Sequence, residues 1–299
     1  MHLIGQSVFT YCLLLLTSSP LFIRKVILNN EKRICLLTWF KSHLIRYAFL
    51  GFLEVEANFL AVKAYAYTSV VSVQILDSCT LPVIFVLSMI LLKRRYYVIH
   101  YIALTSTIIG TSMLIYFDHS LSKANANSTE GSVPSKAYIG NIMMAAAASI
   151  YGLTNVLQEM ILRKRPTVEY IFSLSLCTCI ISSMQTFIFE RSSIQSAEYD
   201  NWQFVSYFIG FILSLYGFYI MIPLQLKKHG CVVFNMNLQT SDVYTLLAGT
   251  LLFKNKFSGW YIVAWCLIVI STLMYNYKEP INKADTSSGG IEHSVDPLN

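Results

Sequence analysis

Charged residues are scarce in this 299-residue chain: Asp, Glu, Lys and Arg make up 13% of it, whereas hydrophobic residues make up 55%. Soluble proteins carry about a quarter charged residues. The composition therefore excludes an ordinary soluble domain and indicates an integral membrane protein. The net charge of +6 does not indicate nucleic-acid binding, because the basic residues cluster in short segments between apolar runs.

Motifs of common enzyme classes are also missing. The seven cysteines contain no C-x-x-C pair and the six histidines are scattered, so neither a disulfide framework nor a zinc site is expected. The chain has no G-x-x-x-x-G-K-[ST] and no G-x-S-x-G segment, which argues against ATP hydrolysis and serine-hydrolase chemistry. We therefore expect neither an enzyme nor a bound metal or cofactor.

Apolar runs, in contrast, are abundant, and each is long enough to cross ~30 Å of hydrocarbon as a helix. They predict an all-α, polytopic membrane bundle of nine helices. The predicted spans are 3–23, 44–65, 69–92, 98–117, 137–157, 170–189, 203–224, 231–253 and 259–277. The first lacks a basic segment before it and a small-residue cleavage site after it, which favours a retained span over a signal peptide.

The distribution of basic residues predicts the topology. Most of the 22 lysines and arginines fall in one alternate set of loops, at 24–43, 93–97, 158–169, 225–230 and after 278. By the positive-inside rule these loops are cytoplasmic, so the C-terminus is cytoplasmic and the N-terminus of this chain lies on the other side. The sequon at Asn127 lies in the loop 118–136, which the charges assign to the outside, and we expect it to be glycosylated.

Two segments resemble each other at an offset of 161 residues, 86–117 and 247–278. In both, an apolar helix ends in a short basic turn and a second apolar helix follows. The fifth span, shifted back by this offset, would lie before residue 1. The sequence thus predicts a ten-helix inverted-repeat transporter fold that lacks its first helix. Its parts are a four-helix repeat at 1–118, a lumenal or extracellular linker at 119–136, a five-helix repeat at 137–277 and a polar cytoplasmic tail at 278–299. A genuine nine-helix protein is the alternative.

Polar side chains inside the predicted spans are candidate substrate contacts, because charge in hydrocarbon is costly and usually faces a cavity or a partner. They are Glu56, Lys63, Gln74, Asp77, Asn235 and Asp242. Glu56 and Lys63 share one face of their helix, as do Gln74 and Asp77 in the third span and Asn235 and Asp242 in the eighth. At the 161-residue offset, Gln74 matches Asn235. The alternatives are hydrogen bonds that only hold helices together and, for Lys63, an ammonium that extends to the interface. Glu54 is expected to be solvated near the cytoplasmic end.

Several runs resemble the F subfamily of solute carrier family 35. They are EVEANFLAVKAYAYT at 54–68, SVQILD at 72–77, SIYGLTNV at 149–156, TSDVY at 240–244 and KFSGWY at 256–261. The resemblance implies the drug/metabolite transporter fold, with two inverted five-helix repeats and both termini in the cytosol. It also implies a substrate of the nucleotide-sugar kind or of the nucleoside or nucleobase kind.

Together, the residues and the resemblance predict a secondary-active transporter that moves a small polar organic solute across a lipid bilayer by alternating access. The alternative from another class is a non-transporting multi-pass scaffold or receptor.

Overall fold

The computed structural model describes residues 3–27, 33–68, 70–125, 137–189, 202–241, 259–278 and 281–282. These residues are almost entirely helical, as expected where backbone groups have no water to bond and must be satisfied within each segment. Within them, five helices are long and apolar enough to cross a membrane: Ser7–Arg24, Ser72–Leu91, Tyr138–Leu162, Thr167–Ile188 and Val205–His229.

Each of the nine predicted spans meets a helical segment. The helices are α1 (Leu3–Ile27), α2 (Arg33–Ala64), α3 (Val70–Ser78), α4 (Thr80–Leu91), α5 (Val98–Asn125), α6 (Ala137–Leu162), α7 (Thr167–Phe189), α8 (Trp202–His229), α9 (231–241) and α10 (Gly259–Tyr277). Two-residue strands, β1 (Arg94–Arg95) and β2 (Ile281–Asn282), pair antiparallel.

Three helices differ from the predicted spans. Helix α2 begins at Arg33, inside the predicted loop 24–43, and α5 continues to Asn125, past the predicted start of the linker. The third predicted span is interrupted at Cys79, whose backbone N–H bonds the carbonyl of Leu76 in a tightened turn. For α2 and α5, the charged and turn residues predict a helix that is too short, because a helix does not have to end at the membrane surface.

The chain divides into two compact units, each drawn from both halves of the sequence. The first unit comprises Met1–Thr80 and Glu130–Phe234, and the second comprises Leu81–Thr129 and Asn235–Asn299. Shifted by 161 residues, the segment 81–129 becomes 242–290, which lies within the other segment of the second unit. The same division therefore recurs at the repeat offset.

The first unit is built around α2. Helix α1 packs along α7, α2 packs on α6 and α7, and α8 packs on α1 and α6. Small residues let the helices approach closely: Ala64, Ala147 and Ala148 are fully buried. Gly230 has a positive φ of 83° and ends α8, after which α9 starts at once.

In the second unit, α5 packs along α10. The closest approach is at Gly110, where an added Cβ would lie 2.8 Å from Cγ1 of Ile268. Beyond α10, the segment after Tyr277 is held near the α4–α5 turn. His100 Nε2 lies 2.7 Å from the carbonyl of Lys278, and β1 pairs with β2 beside it. The predicted polar tail, 278–299, therefore contains the short strand β2.

Candidate functional site

A cluster of polar side chains lies inside the first unit, at Asn58. The amide nitrogen of Asn58 donates to the hydroxyls of Tyr11 and Tyr219, at 3.2 Å each, and these hydroxyls are 3.0 Å apart. The hydroxyl of Tyr151 donates to Oδ1 of Asn58 at 2.7 Å. Helices α1, α2, α6 and α8 thus each contribute one residue to what we call the Asn58 junction, made of Tyr11, Asn58, Tyr151 and Tyr219.

Apolar packing fixes the position of this junction. Tyr11 and the neighbouring Leu14 and Val55 form a buried core that Tyr219 and residues of α7 cover. The rings of Tyr11 and Tyr219 are tilted, with centroids 5.3 Å apart. A tyrosine suits such a place because its ring buries apolar surface while its hydroxyl reaches a polar partner.

Glu54 lies one helical turn before Asn58 on α2, and its side chain is only 6% exposed. Gln158 of α6 donates from Nε2 to Oε2 of Glu54 at 3.2 Å. A cavity of about 30 Å³ adjoins the pair, and its lining includes Glu54, Gln158, Tyr170, Tyr11 and Tyr219. The expectation that Glu54 is solvated near the cytoplasmic end is therefore wrong, because α6, α7 and α8 enclose it.

Glu56 lies on another face of α2, next to α7. Gln185 donates from Nε2 to Oε1 of Glu56 at 3.1 Å. A second cavity, of about 20 Å³, is lined by Tyr11, Asn58, Gln185 and five other residues. Glu56, a predicted contact, thus lies near the junction, and Tyr11 borders both cavities.

The other predicted contacts of the first unit are not part of the Asn58 junction. Lys63 is exposed, and its ammonium lies 5.1 Å from the ring centroid of Phe59 one turn earlier. Gln74 is half-buried and Asp77 is exposed, both on α3 just before the interruption at Cys79. None of these three is hydrogen-bonded to the Asn58 junction among the residues described.

The remaining predicted positions are in the second unit or the linker. Asn235 is buried, at 6% exposure, on α9. Asp242 and the sequon residue Asn127 lie outside the described residues.

A second buried carboxylate, Glu159, ends α6. Its Oε1 pairs with Arg163 at 2.8 Å, and its Oε2 accepts a hydrogen bond of 2.8 Å from the backbone N–H of Cys231. This carboxylate satisfies an unpaired N–H at the start of α9. It is fully bonded, so we assign it a structural role.

Sequence reasoning missed Glu54, Asn58, Gln158 and the three tyrosines of the junction. One signal was available: Glu54 and Asn58 are four residues apart on one face of α2, inside the run 54–68, and Tyr151 lies in the run 149–156. No signal in one sequence brings Tyr11 and Tyr219 together, because they are 208 residues apart.

The family model for solute carrier family 35 matches residues 3–277. The chain belongs to solute carrier family 35. It is therefore a multi-pass membrane protein of a solute-carrier family, and the predicted subfamily resemblance is confirmed.

Named relatives include solute carrier family 35 member F2 of Mus musculus, 33% identical over 90% of this chain and 69% of the relative. The same member of Xenopus tropicalis is 30% identical over 90% of this chain and 67% of the relative. An uncharacterized family member of Schizosaccharomyces pombe is 30% identical over 77% of this chain and 44% of its own length. A solved crystal structure aligns at a TM-score of 0.65 with 15% identity, over 93% of this chain and 88% of that one, and supports the fold alone.

Proposed function

We propose that the protein is a secondary-active transporter that works by alternating access on a small polar organic solute. The substrate class is that of nucleotide sugars or of nucleosides and nucleobases, as the resemblance implies. Membership of a solute-carrier family supports transport in general, and the polar interior of the first unit supports a site for a polar solute.

The observation that carries this proposal is the incomplete hydrogen bonding around the Asn58 junction. Polar residues that only hold a membrane bundle together are expected to satisfy one another. Here Oε1 of Gln158, the hydroxyl of Tyr170 and Oε1 of Gln185 have no hydrogen-bond partner among the described residues. All three residues are buried and line the two cavities. This arrangement favours a binding region over a scaffold.

Alternating access has further support in the chain. The interruption between α3 and α4 at Cys79 resembles the discontinuous helices of transporters. The division into units also recurs at the 161-residue offset, as an inverted repeat requires. Glu56, Lys63, Gln74, Asp77, Asn235 and Asp242 stay proposed substrate contacts. Within this set, Lys63 suits a phosphate or carboxylate, and the carboxylates suit amines or protons.

The test is uptake by proteoliposomes of a panel containing a nucleotide sugar, a nucleoside and a nucleobase. Lys63→Gln removes the proposed anion contact, and Lys164→Gln removes an exposed lysine in the α6–α7 turn as the matched control. If the substrate carries phosphate, Lys63→Gln lowers its uptake at least about tenfold, which corresponds to ~1.4 kcal/mol. The control stays within about twofold of the parent. Uptake of none of the panel compounds by a correctly inserted parent protein contradicts the proposed substrate classes.

We also propose that the C-terminus is cytoplasmic. A cysteine at Lys164, in the exposed turn after α6, should react with an impermeant thiol reagent only from the cytosolic side. A cysteine at Asn127 should react only from the opposite side. The reverse pattern contradicts the assignment from charge.

A further inference from the structure

Glu54 is an acidic side chain buried in a membrane protein. Among the described residues, no Lys, Arg or His forms an ion pair with Glu54, and its hydrogen bond comes from the neutral amide of Gln158. An ionised carboxylate in such a place is costly. A proton bound to the carboxylate removes the negative charge, and the resulting carboxylic acid can donate a hydrogen bond.

Beside the Gln158 amide, the titratable groups that face Glu54 from the neighbouring helices are, among the described residues, neutral phenols. They are Tyr11 of α1, Tyr151 of α6, Tyr170 of α7 and Tyr219 of α8. Phenol hydroxyls can donate to a carboxylate and accept from a carboxylic acid, so they fit both forms of the group. A fixed positive partner would instead hold Glu54 permanently ionised.

The cavity beside Glu54 holds unsatisfied polar atoms of both kinds. Gln158 is 4% exposed and Tyr170 is 1% exposed, and both Oε1 of Gln158 and the hydroxyl of Tyr170 lack hydrogen-bond partners in the described structure. The cavity, about 30 Å³, can take a water molecule, which needs roughly 10–15 Å³ of such space and two to four polar partners. Water there would give Glu54 a donor and acceptor with which to exchange a proton.

The cavity beside Glu54 shares a lining residue with the second cavity. Tyr11 lines both, and Asn58, which lines the second, donates a hydrogen bond to the Tyr11 hydroxyl. The second cavity reaches Gln185, whose Oε1 is also unpaired in the described part of the chain and whose amide holds Glu56. The two cavities, whose linings are mostly apolar with a few polar groups, therefore share Tyr11 of the Asn58 junction.

We propose that Glu54 is a reversible proton-binding site, and that its cavity and the Asn58 junction couple solute movement to a proton gradient. This deepens the proposed function and rests on it. The proton binds to a carboxylate oxygen of Glu54 from water on one side of the membrane. It returns to water on the other side, so no bond of the solute is made or broken.

Proton binding is tested directly on the purified full chain by pH-dependent infrared difference spectroscopy. The parent should show the C=O stretching band of a protonated carboxylic acid, shifted in D₂O and changing with pH. Glu54→Gln should lose this band. Glu169→Gln, which removes an acid paired with Arg165 at 3.6 Å, should keep it. A band of equal size in the parent and in Glu54→Gln overturns the proposal, as does its absence from the parent.

A second variant keeps the test decisive if Glu54→Gln does not fold. Gln158→Met removes the amide that donates to Glu54 while leaving the carboxyl group. If Glu54 is the titrating group, the band must change its frequency and its pH midpoint in this variant. An unchanged band assigns the titrating group elsewhere and overturns the proposal.

Coupling is tested in proteoliposomes with a pH-sensitive dye inside. An inward proton gradient should speed uptake of the transported panel solute in the parent. In Glu54→Gln that stimulation should be lost, so that the rate of uptake is the same with and without the proton gradient. Uptake that ignores the gradient in the parent overturns the coupling and leaves the proposed transporter intact. A titrating Glu54 band in a protein that takes up none of the panel solutes supports the proton site and counts against the proposed function.

Discussion

The two compact units differ in the polar side chains at their helix contacts: the first places an amide and a carboxylate between helices, whereas hydroxyls of both units mostly bond within their own helix, as Thr178 of the first unit does to the carbonyl of Leu174. In the first unit, Asn58 and Glu54 bond to residues of other helices. In the second unit, the hydroxyls of the α5–α10 pair mostly bond back to their own helix. Thr107 donates to the carbonyl of Ala103, and Thr272 to that of Ile268.

This difference separates packing from binding. A hydroxyl that bonds the carbonyl four residues earlier needs nothing from a neighbouring helix, so the α5–α10 pair can be held by shape. Side chains that bond across helices beside a cavity depend on one another and can leave polar atoms available to a ligand. Polar side chains therefore indicate a site only where their partners lie on other helices.

The largest effect on transport is expected from Asn58→Leu. The substitution breaks three cross-helix hydrogen bonds and leaves the Tyr151 hydroxyl without its acceptor. Uptake should fall at least about tenfold, and the free energy of unfolding should fall by about 1–3 kcal/mol.

The matched control is Asn276→Leu on α10, where the amide bonds only the carbonyl of Thr272 in its own helix. This variant should keep uptake within about twofold and lose under ~1 kcal/mol of stability. Equal loss of uptake in the two variants would remove the contrast between the units. Both are measured by proteoliposome uptake and thermal unfolding in detergent.

An intermediate effect, on stability alone, is expected from Gly110→Ala in the second unit. The added Cβ would lie 2.8 Å from Cγ1 of Ile268 and 3.3 Å from the carbonyl of Ala264. Overpacking of this kind should cost about 1–3 kcal/mol, whereas uptake per folded molecule should persist.

Gly210→Ala is its control, because a Cβ there meets nothing within 4 Å. That variant should be neutral or up to ~1 kcal/mol more stable, as alanine is the better helix former. Thermal unfolding of the two variants distinguishes a packed from an open glycine. A milder effect at Gly110 than at Gly210 would refute the close approach of α5 and α10.

The smallest effect is expected from Thr111→Val. Thr111 bonds the carbonyl of Thr107 at 3.0 Å and Oε1 of Gln239 at 3.1 Å. Valine keeps the shape and loses one cross-helix bond, worth roughly 0.6 kcal/mol on average in membrane proteins. Uptake should not change. A loss of uptake with normal stability would show that the bond between Thr111 and Gln239 contributes to solute binding, together with the proposed contacts Asn235 and Asp242 of the same unit.

Much of the fold could be predicted from the sequence, because a segment that crosses lipid must be mostly apolar and must satisfy its own backbone groups. Runs without charge had to become helices, and α10 begins and ends where the sequence places it. The charged helix α2 was less certain, and its start at Arg33 was missed because charge there does not interrupt the helix.

The site was less accessible, for a physical reason. Glu56 was named because charge in a span is costly, yet the same argument applied to Glu54, which was assigned to water. What distinguishes Glu54 is its burial among α6, α7 and α8, and this depends on contacts between residues such as Glu54 and Gln158, 104 positions apart. The residue type at a single position does not reveal which distant residues will pack around it.

Helix α2 also has a consequence for biogenesis. It emerges from the ribosome carrying Glu54, Glu56 and Asn58, each of which is costly in lipid. Their partners on α6, α7 and α8 are synthesised roughly 90 to 160 residues later. During that interval α2 has no stable place inside the bilayer. We expect it to wait at the membrane surface or at the insertion machinery, and to enter only when its later neighbours arrive.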